Sequence, residues 1–425
     1  MKKINLTVNQ TLFASLLTLL MGLTTSCADE MAVPSEHPLT TPEETNLSAA
    51  LRIADEFFAQ IEPGTRAVSR NVSSVEKMQT AVTRNGESDT DIYLINYADN
   101  QGFAMMDVRP GQEEIYAISP TGHLSVSDTI GNPVLKEFFE GVSEYSARMD
   151  NSVIGMPTLS RYYVVKEFCK NNLNDWAESW TELASDNAIT LGGINRPCGT
   201  AAVAVAKIMS YFKYPTKLYA TYTPYELNWD QMLNARQKDV KNTLLLYLSW
   251  FDVYLNCEFN TNFTETNPNN LDYTFRNLGY GTLACNGEKW SIRKDMVKNY
   301  LRSGYGIYKK GPVIGYAAQT DKPGKEAKNR FWIIDGFVDR VYYNVTADGT
   351  VIKDLEMIAP TLLHCIWGDG VSPDGYFAYI DDTTGLDKTA HQDTTIINKH
   401  FLLETNESVS YTFKNLKIYG GWYFK

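Results

Sequence analysis

Histidine is scarce in this chain. The 425 residues hold five, His37, His123, His364, His391 and His400, and no two are spaced as a ligand pair. Cysteine is limited to Cys27, Cys169, Cys198, Cys257, Cys285 and Cys365, with no CxxC among them. Beyond Cys27 the number is odd, so neither a full disulfide framework nor a zinc site is expected, and no metal or cofactor is called for. Lys and Arg total 39 against 50 Asp and Glu, with no dense basic run. The resulting net charge of −11 argues against a nucleic-acid partner. No apolar run reaches the roughly 20 residues of a membrane span.

What is present describes an ordinary globular protein, 44% hydrophobic and 21% charged, long enough for two or three domains. Its 26 Tyr and 8 Trp suit a β-rich protein with aromatic surface grooves. The first residues are a targeting segment. Lys2-Lys3 precede an apolar run from Leu12 to Leu23, and Thr24-Thr25-Ser26 lead to Cys27. Residues 1–27 therefore read as a signal peptide, and small residues ahead of a Cys resemble a bacterial lipoprotein cleavage box. Cys27 would carry the lipid and tie the chain to a bacterial cell envelope. The acidic pair Asp29-Glu30 then points to the outer membrane or cell surface.

Residues 28–46, rich in Pro, Thr, Ser and Glu, read as a flexible tether. From 47 to 151 a small α+β domain is expected. Leu51, Ala54, Phe57, Phe58 and Ile61 have helical spacing; Ile92–Tyr97 and Gly102–Asp107 form a hairpin across Ala98–Gln101; Ile115–Ile118 adds a strand and Val134–Met149 a helix. Residues 152–425 read as one larger domain. Its helices are expected at Leu244–Leu255 and Arg293–Tyr300, and its strands at Gly311–Tyr316, Phe331–Phe337, Val341–Asn344, Leu363–Gly370 and Gly375–Ile380.

The stretch from Asn195 to Phe212 carries the strongest pattern. Ala201, Val205, Ile208 and Phe212 recur at helical spacing, with Ala202, Ala206 and Met209 beside them. A helix apolar around most of its girth belongs in a core. Pro197 suits a first turn, Asn195 a cap, and Pro215 an end. Cys198 would then stand at a helix N-terminus, where the dipole and unpaired N–H groups favour a thiolate. A buried free Cys acting as a small hydrophobe is the commoner alternative.

The wording Cys198-Gly-Thr-Ala-Ala-Val-Ala-Val-Ala-Lys-Ile-Met, closed by Tyr214-Pro215, resembles the nucleophile helix of the streptopain family of cysteine peptidases. That family's usual wording is Gly-Cys-Val-Ala-Thr-Ala. Tyr93-Leu-Ile-Asn-Tyr97, Asp99-Asn-Gln-Gly-Phe103 and Ile115–Gly122 resemble the family's prosegment, and Leu227-Asn-Trp-Asp-Gln-Met232 another of its phrases. The resemblance runs from about Ile92 to Ile380. It implies an α+β, papain-like peptidase fold, a helical half plus an antiparallel sheet half, behind a prosegment-like domain that covers the cleft.

The catalytic positions that the resemblance implies are altered. The family's Gly-His-Ala-Trp-Val-Ile-Asp-Gly-Tyr strand reads Asn329-Arg330-Phe-Trp-Ile-Ile-Asp-Gly-Phe337, so Arg330 stands at the His position. Ile366 stands at the position of the supporting Asn, Trp367 is kept, and Glu182, after Trp180, stands at the oxyanion Gln. Arginine stays charged and passes no proton to a leaving amine. A carboxylate opposes the developing oxyanion. Glu182 and Arg330 would face Cys198 from opposite walls and pair across the cleft. His364, two places before Ile366, is expected to be structural.

The implied function is a membrane-anchored peptidase homologue that does not hydrolyse peptides and instead binds a peptide or protein ligand in its cleft. The alternative is a working cysteine endopeptidase, made as a zymogen, using Cys198 and a His that spacing does not assign.

Overall fold

Four consecutive residues of one strand divide the protein's interior in two. Phe331 and Ile333 belong to one hydrophobic core, Trp332 and Ile334 to another. Side chains of a strand alternate between faces, so a run apolar at every position marks a strand buried on both sides. Cys365, Ile366 and Trp367 alternate in the same way.

The computed structural model describes residues 42–62, 70–78, 82–83, 86–87, 91–130, 132–150, 160–171, 173, 188–191, 194–219, 224–232, 238–259, 264–284, 294–304, 309–319, 328–346, 349–368, 372–379 and 413–424. The chain divides into a unit of residues 1–44 and a unit of residues 45–425. The signal peptide, Cys27 and residues 28–41 of the expected tether lie outside the described residues. Residues 42–46 open helix α1 (Pro42–Ile61), a correction at the tether's end: Pro is suited to a first turn, where its missing N–H is not needed. Among the described residues no helix is long and apolar enough to cross a membrane.

In the 45–425 unit helices and strands mix as the α+β expectation has it, with strands and a helix that the sequence did not announce among them. In chain order the elements are β1 (Val72–Lys77), β2 (Ile92–Tyr97), β3 (Phe103–Asp107), β4 (Glu114–Ser119), α2 (Pro133–Asp150), β5 (Ser160–Lys170), α3 (Thr200–Phe212), α4 (Lys238–Trp250), the short pair β6 (Glu258–Phe259) and β7 (Thr264–Glu265), and α5 (Pro268–Asn277). Then come β8 (Tyr280–Ala284), α6 (Lys294–Arg302), β9 (Val313–Gln319), β10 (Lys328–Val345), β11 (Val351–Ile358), β12 (Thr361–Ile366), β13 (Gly375–Tyr379) and β14 (Phe413–Phe424). The β2–β3 turn places Asp99 and Asn100 at φ of 55° and 59°, a left-handed conformation that these two residue types tolerate.

Among the described residues the main sheet has 12 strands, every pair antiparallel, in the order β1-β2-β3-β4-β13-β12-β10-β9-β14-β8. The long β10 pairs first with β9 and β12, and its far half with β5 and β11. Strands from residues 47–151 thus continue into the sheet of the larger region through Ile118↔Tyr376 and Ala117↔Phe377. The first core joins α1, β2–β4, α2 and α6 to β10, β12 and β13, taking neighbours such as Leu362–Leu363 and Tyr376–Ala378 together. The second gathers α3, α4 and α5 against Phe331, Ile333 and Ile366 and holds Cys198. No described residue of 47–151 belongs to the second core; the block packs in the first.

Candidate functional site

Helix α3 begins at Thr200, not at Pro197 as the proline suggested. Pro197 closes a short strand, Ile194–Pro197, and Gly199 is the N-cap at φ 82°. A Cβ at Gly199 would lie 3.1–3.3 Å from Thr264, so β7 is laid against the helix start and the glycine leaves room for it. Cys198 therefore stands ahead of the first turn and beneath this cover, with 0% exposure.

The residues around Cys198 are small and polar or apolar. Its carbonyl accepts from Ser249 Oγ of α4 at 3.1 Å, and the Ser249 carbonyl accepts from the Cys257 N–H at 2.7 Å. Cys257 Sγ lies 3.1 Å from Thr266 Oγ1. Burial pushes the Cys198 thiol from its ordinary 9.0 up to about 12, with the neighbouring Cys257 thiol adding to the rise. Cys257 is likewise pushed up by burial, to about 11. The thiolate expected at Cys198 is corrected. The shift amounts to about 4 kcal/mol against the anion, whereas a helix N-terminus offers about 0.3–1 kcal/mol in its favour. Desolvation wins.

The residue that holds the helix start to β10 is Thr200. Its Oγ1 accepts from the Phe331 N–H at 3.1 Å. Phe331 packs at 4.8 Å, with its ring tilted by 44°, against Tyr316 of β9, whose hydroxyl is pushed up to about 12, by burial first and then by Glu265. Gly199, Thr200 and Arg330 are part-exposed, unlike Cys198.

Arg330 lies opposite Ala317 in an unbroken register, so strand alternation groups it with Trp332 and Ile334 and not with Phe331. Strand and helix are brought together as expected, but by Phe331 and Thr200. Ile366 is buried in the Cys198 core, opposite Ile333. Trp367 packs on Trp332 at 5.9 Å and Phe377 at 5.1 Å, and its N–H donates to Asp374 Oδ1 at 3.0 Å. Glu182 and Trp180 lie outside the described residues, and so do His37, His391, His400 and Cys285.

His364 is committed elsewhere. Its Nδ1 is 2.5 Å from Asp335 Oδ1, both side chains are buried, and the ring packs on Tyr376 at 4.7 Å. Asp335 falls at the irregularity in the β10–β12 register between Ile334 and Gly336, which offsets it from the plain alternation. His123 is exposed, in the turn after β4. Sequence reasoning missed Thr200, Ser249, Cys257 and Asp335 as parts of this region. An Asp inside the apolar run Trp332–Phe337 was itself a signal, because a buried carboxylate requires a partner.

No protein-family model matches the chain, and no curated protein does.

Proposed function

We propose that this protein is a papain-like, streptopain-related homologue that has lost peptide hydrolysis and acts by binding a peptide or protein. We further propose that it is anchored in a bacterial envelope by a lipid on Cys27. The observation that carries the first reading is the sealed thiol. Cys198 has 0% exposure and a thiol pushed up to about 12, while the one buried imidazole among the described residues is held by Asp335. A nucleophile needs an accessible anion and a base within hydrogen-bond reach. Neither is supplied among the described residues. Thr200 at the helix start and Arg330, which alternation groups with the Trp332 face, are both part-exposed, and ligand contact is expected at each. An always-charged guanidinium with five donors suits peptide carbonyls and carboxylates.

The test is incubation of the purified 28–425 chain with casein, with and without an epoxide inhibitor of cysteine peptidases. No turnover and no adduct on Cys198 are expected. Inhibitor-sensitive hydrolysis that disappears in Cys198→Ala would establish the zymogen alternative instead. Binding is read separately, by titrating a casein peptide pool into the wild-type chain and into Arg330→Ala, with weaker binding expected in the variant.

A further inference from the structure

We propose that residues 47–151 are a permanent half of the fold and not a removable prosegment, so that cutting the chain in the 151–159 link neither releases them nor switches the site. This goes beyond the loss of hydrolysis and does not depend on it.

Three kinds of contact join this block to the rest. The first is backbone. β4 pairs with β13 at Ile118↔Tyr376 and Ala117↔Phe377, so removing the block would bare a hydrogen-bonding edge in the middle of the sheet. A Cβ at Gly375 would meet Ser119 Cβ at 3.0 Å and Phe103 at 3.1 Å, a close approach that a glycine permits. The second is apolar. Phe377 lies 5.3 Å from Phe138 of α2 and 6.4 Å from Phe103 of β3, inside one core that draws on both halves.

The third contact is ionic and buried. Arg340 of β10, with 0% side-chain exposure, lies 2.7 Å from Glu114 Oε1, and its Nη2 donates to the Ile115 carbonyl at 2.5 Å. Arg161 of β5 donates to the Glu113 carbonyl at 3.2 Å and to Glu114 Oε2 at 3.3 Å. The Tyr163 hydroxyl donates to the Glu113 carbonyl at 2.5 Å. Across the same boundary, Asn132 Nδ2 donates to Ser372 Oγ at 2.9 Å. Departure of the block would leave two guanidiniums on an apolar face without their carboxylate, and an unpaired buried charge is among the least favourable states a protein can hold. A removable inhibitor is attached through a surface that both partners can expose to water. This boundary is a core.

The placement adds a second reason. The block shares the core that holds Trp332 and Ile334, whereas Cys198 belongs to the other core with Phe331 and Ile333. Its removal would open the core that does not hold the thiol.

The experiment inserts a site-specific protease sequence after Gly155 in the 28–425 chain and cuts the purified protein to completion. Elution of the uncut insertion variant with the wild type establishes that it folds. After cutting, two polypeptides on a denaturing gel are expected to elute together at the uncut position in non-denaturing buffer, in low and in 1 M salt, with an unchanged circular-dichroism spectrum, and to separate only in denaturant. Release of the smaller fragment in non-denaturing buffer would overturn the proposal. Casein turnover appearing in a cut sample whose fragments remain together would count against the loss of hydrolysis and against the claim that cutting switches nothing, while leaving the permanence of the block standing.

Discussion

The Phe331 N–H donates to the Thr200 hydroxyl at 3.1 Å, joining the strand that carries Arg330 to the first turn of the buried helix. On the proposed streptopain relation, this junction is where a histidine and a cysteine would be mounted. A threonine stands there, and Arg330, one residue before Phe331, groups by alternation with Trp332. A hydroxyl without a neighbouring base is a weak nucleophile, and arginine cannot take its proton.

Cys198 is therefore expected to be silent toward alkylation. With the thiol pushed up to about 12, only about one molecule in 10⁴ carries the anion at pH 8, and the sulfur is sealed as well. Peptide mapping after iodoacetamide treatment of the folded protein is expected to show Cys198 unmodified and, after unfolding in denaturant, fully modified. Labelling in the folded state at the rate of a free cysteine would contradict the burial described here.

Thr200→Cys should behave in the opposite way. The new thiol would occupy a part-exposed position in the first helical turn, where the dipole favours its anion. Its labelling is expected to be at least about tenfold faster than that of Cys198 at pH 8. Thr200→Cys alone should not hydrolyse casein, for want of a base. Joined with Arg330→His it tests whether the strand places an imidazole within reach; because alternation groups residue 330 with Trp332, little or no turnover is expected. Robust turnover in the double variant would show that the side chain at 330 does reach the helix start.

Much of this was legible in the chain because it rests on local pattern. The helix at 200–212, the hairpin across Asp99 and Asn100, and the doubly buried strand at 331–334 all follow from periodicity and turn chemistry. The start of α3 was not legible. Pro197 imitates a first-turn residue, and only the fit of β7 against Gly199 shows that the helix waits until Thr200. Burial of Cys198 was the commoner of two sequence readings and holds, but what decides it was not legible: its cover comes from Ser249, Cys257 and Thr264–Thr266, some 50 to 70 residues further along the chain. Pairing of Asp335 with His364 depends on a register irregularity that no periodicity reports. Strands β5 and β14 escaped notice, and their places are set by pairing with the long β10 and with β9.

The Asp335–His364 pair is expected to be structural. Replacing Asp335 by Asn removes the negative partner of a buried imidazole at 2.5 Å and should lower stability by about 3 kcal/mol. Urea unfolding of Asp335→Asn and His364→Gln, singly and together, reads the coupling, and the double variant is expected to lose less than the sum of the singles. Additive losses would mean that the two side chains act independently.

Glu113 gives the fold a dependence on pH whose direction is set by burial. Desolvation pushes its carboxyl from the ordinary 4.5 up to about 6, against the lowering effects of hydrogen bonds and of Arg161. A raised value means that the folded state favours the protonated carboxyl. Below pH 4.5 both folded and unfolded chains are protonated and the contribution is fully present. Between 4.5 and about 6 the unfolded chain has released its proton and the folded one has not, so stability falls as pH rises and levels off above that range. The expected loss is about 2 kcal/mol. Glu113→Gln keeps the shape without the titration. Its unfolding free energy from urea titration, followed from pH 4.5 to 7, is expected to decline less than that of the wild type by this amount. The same decline in both proteins would mean that Glu113 is solvated and that its surroundings beside Arg161 are wetter than described.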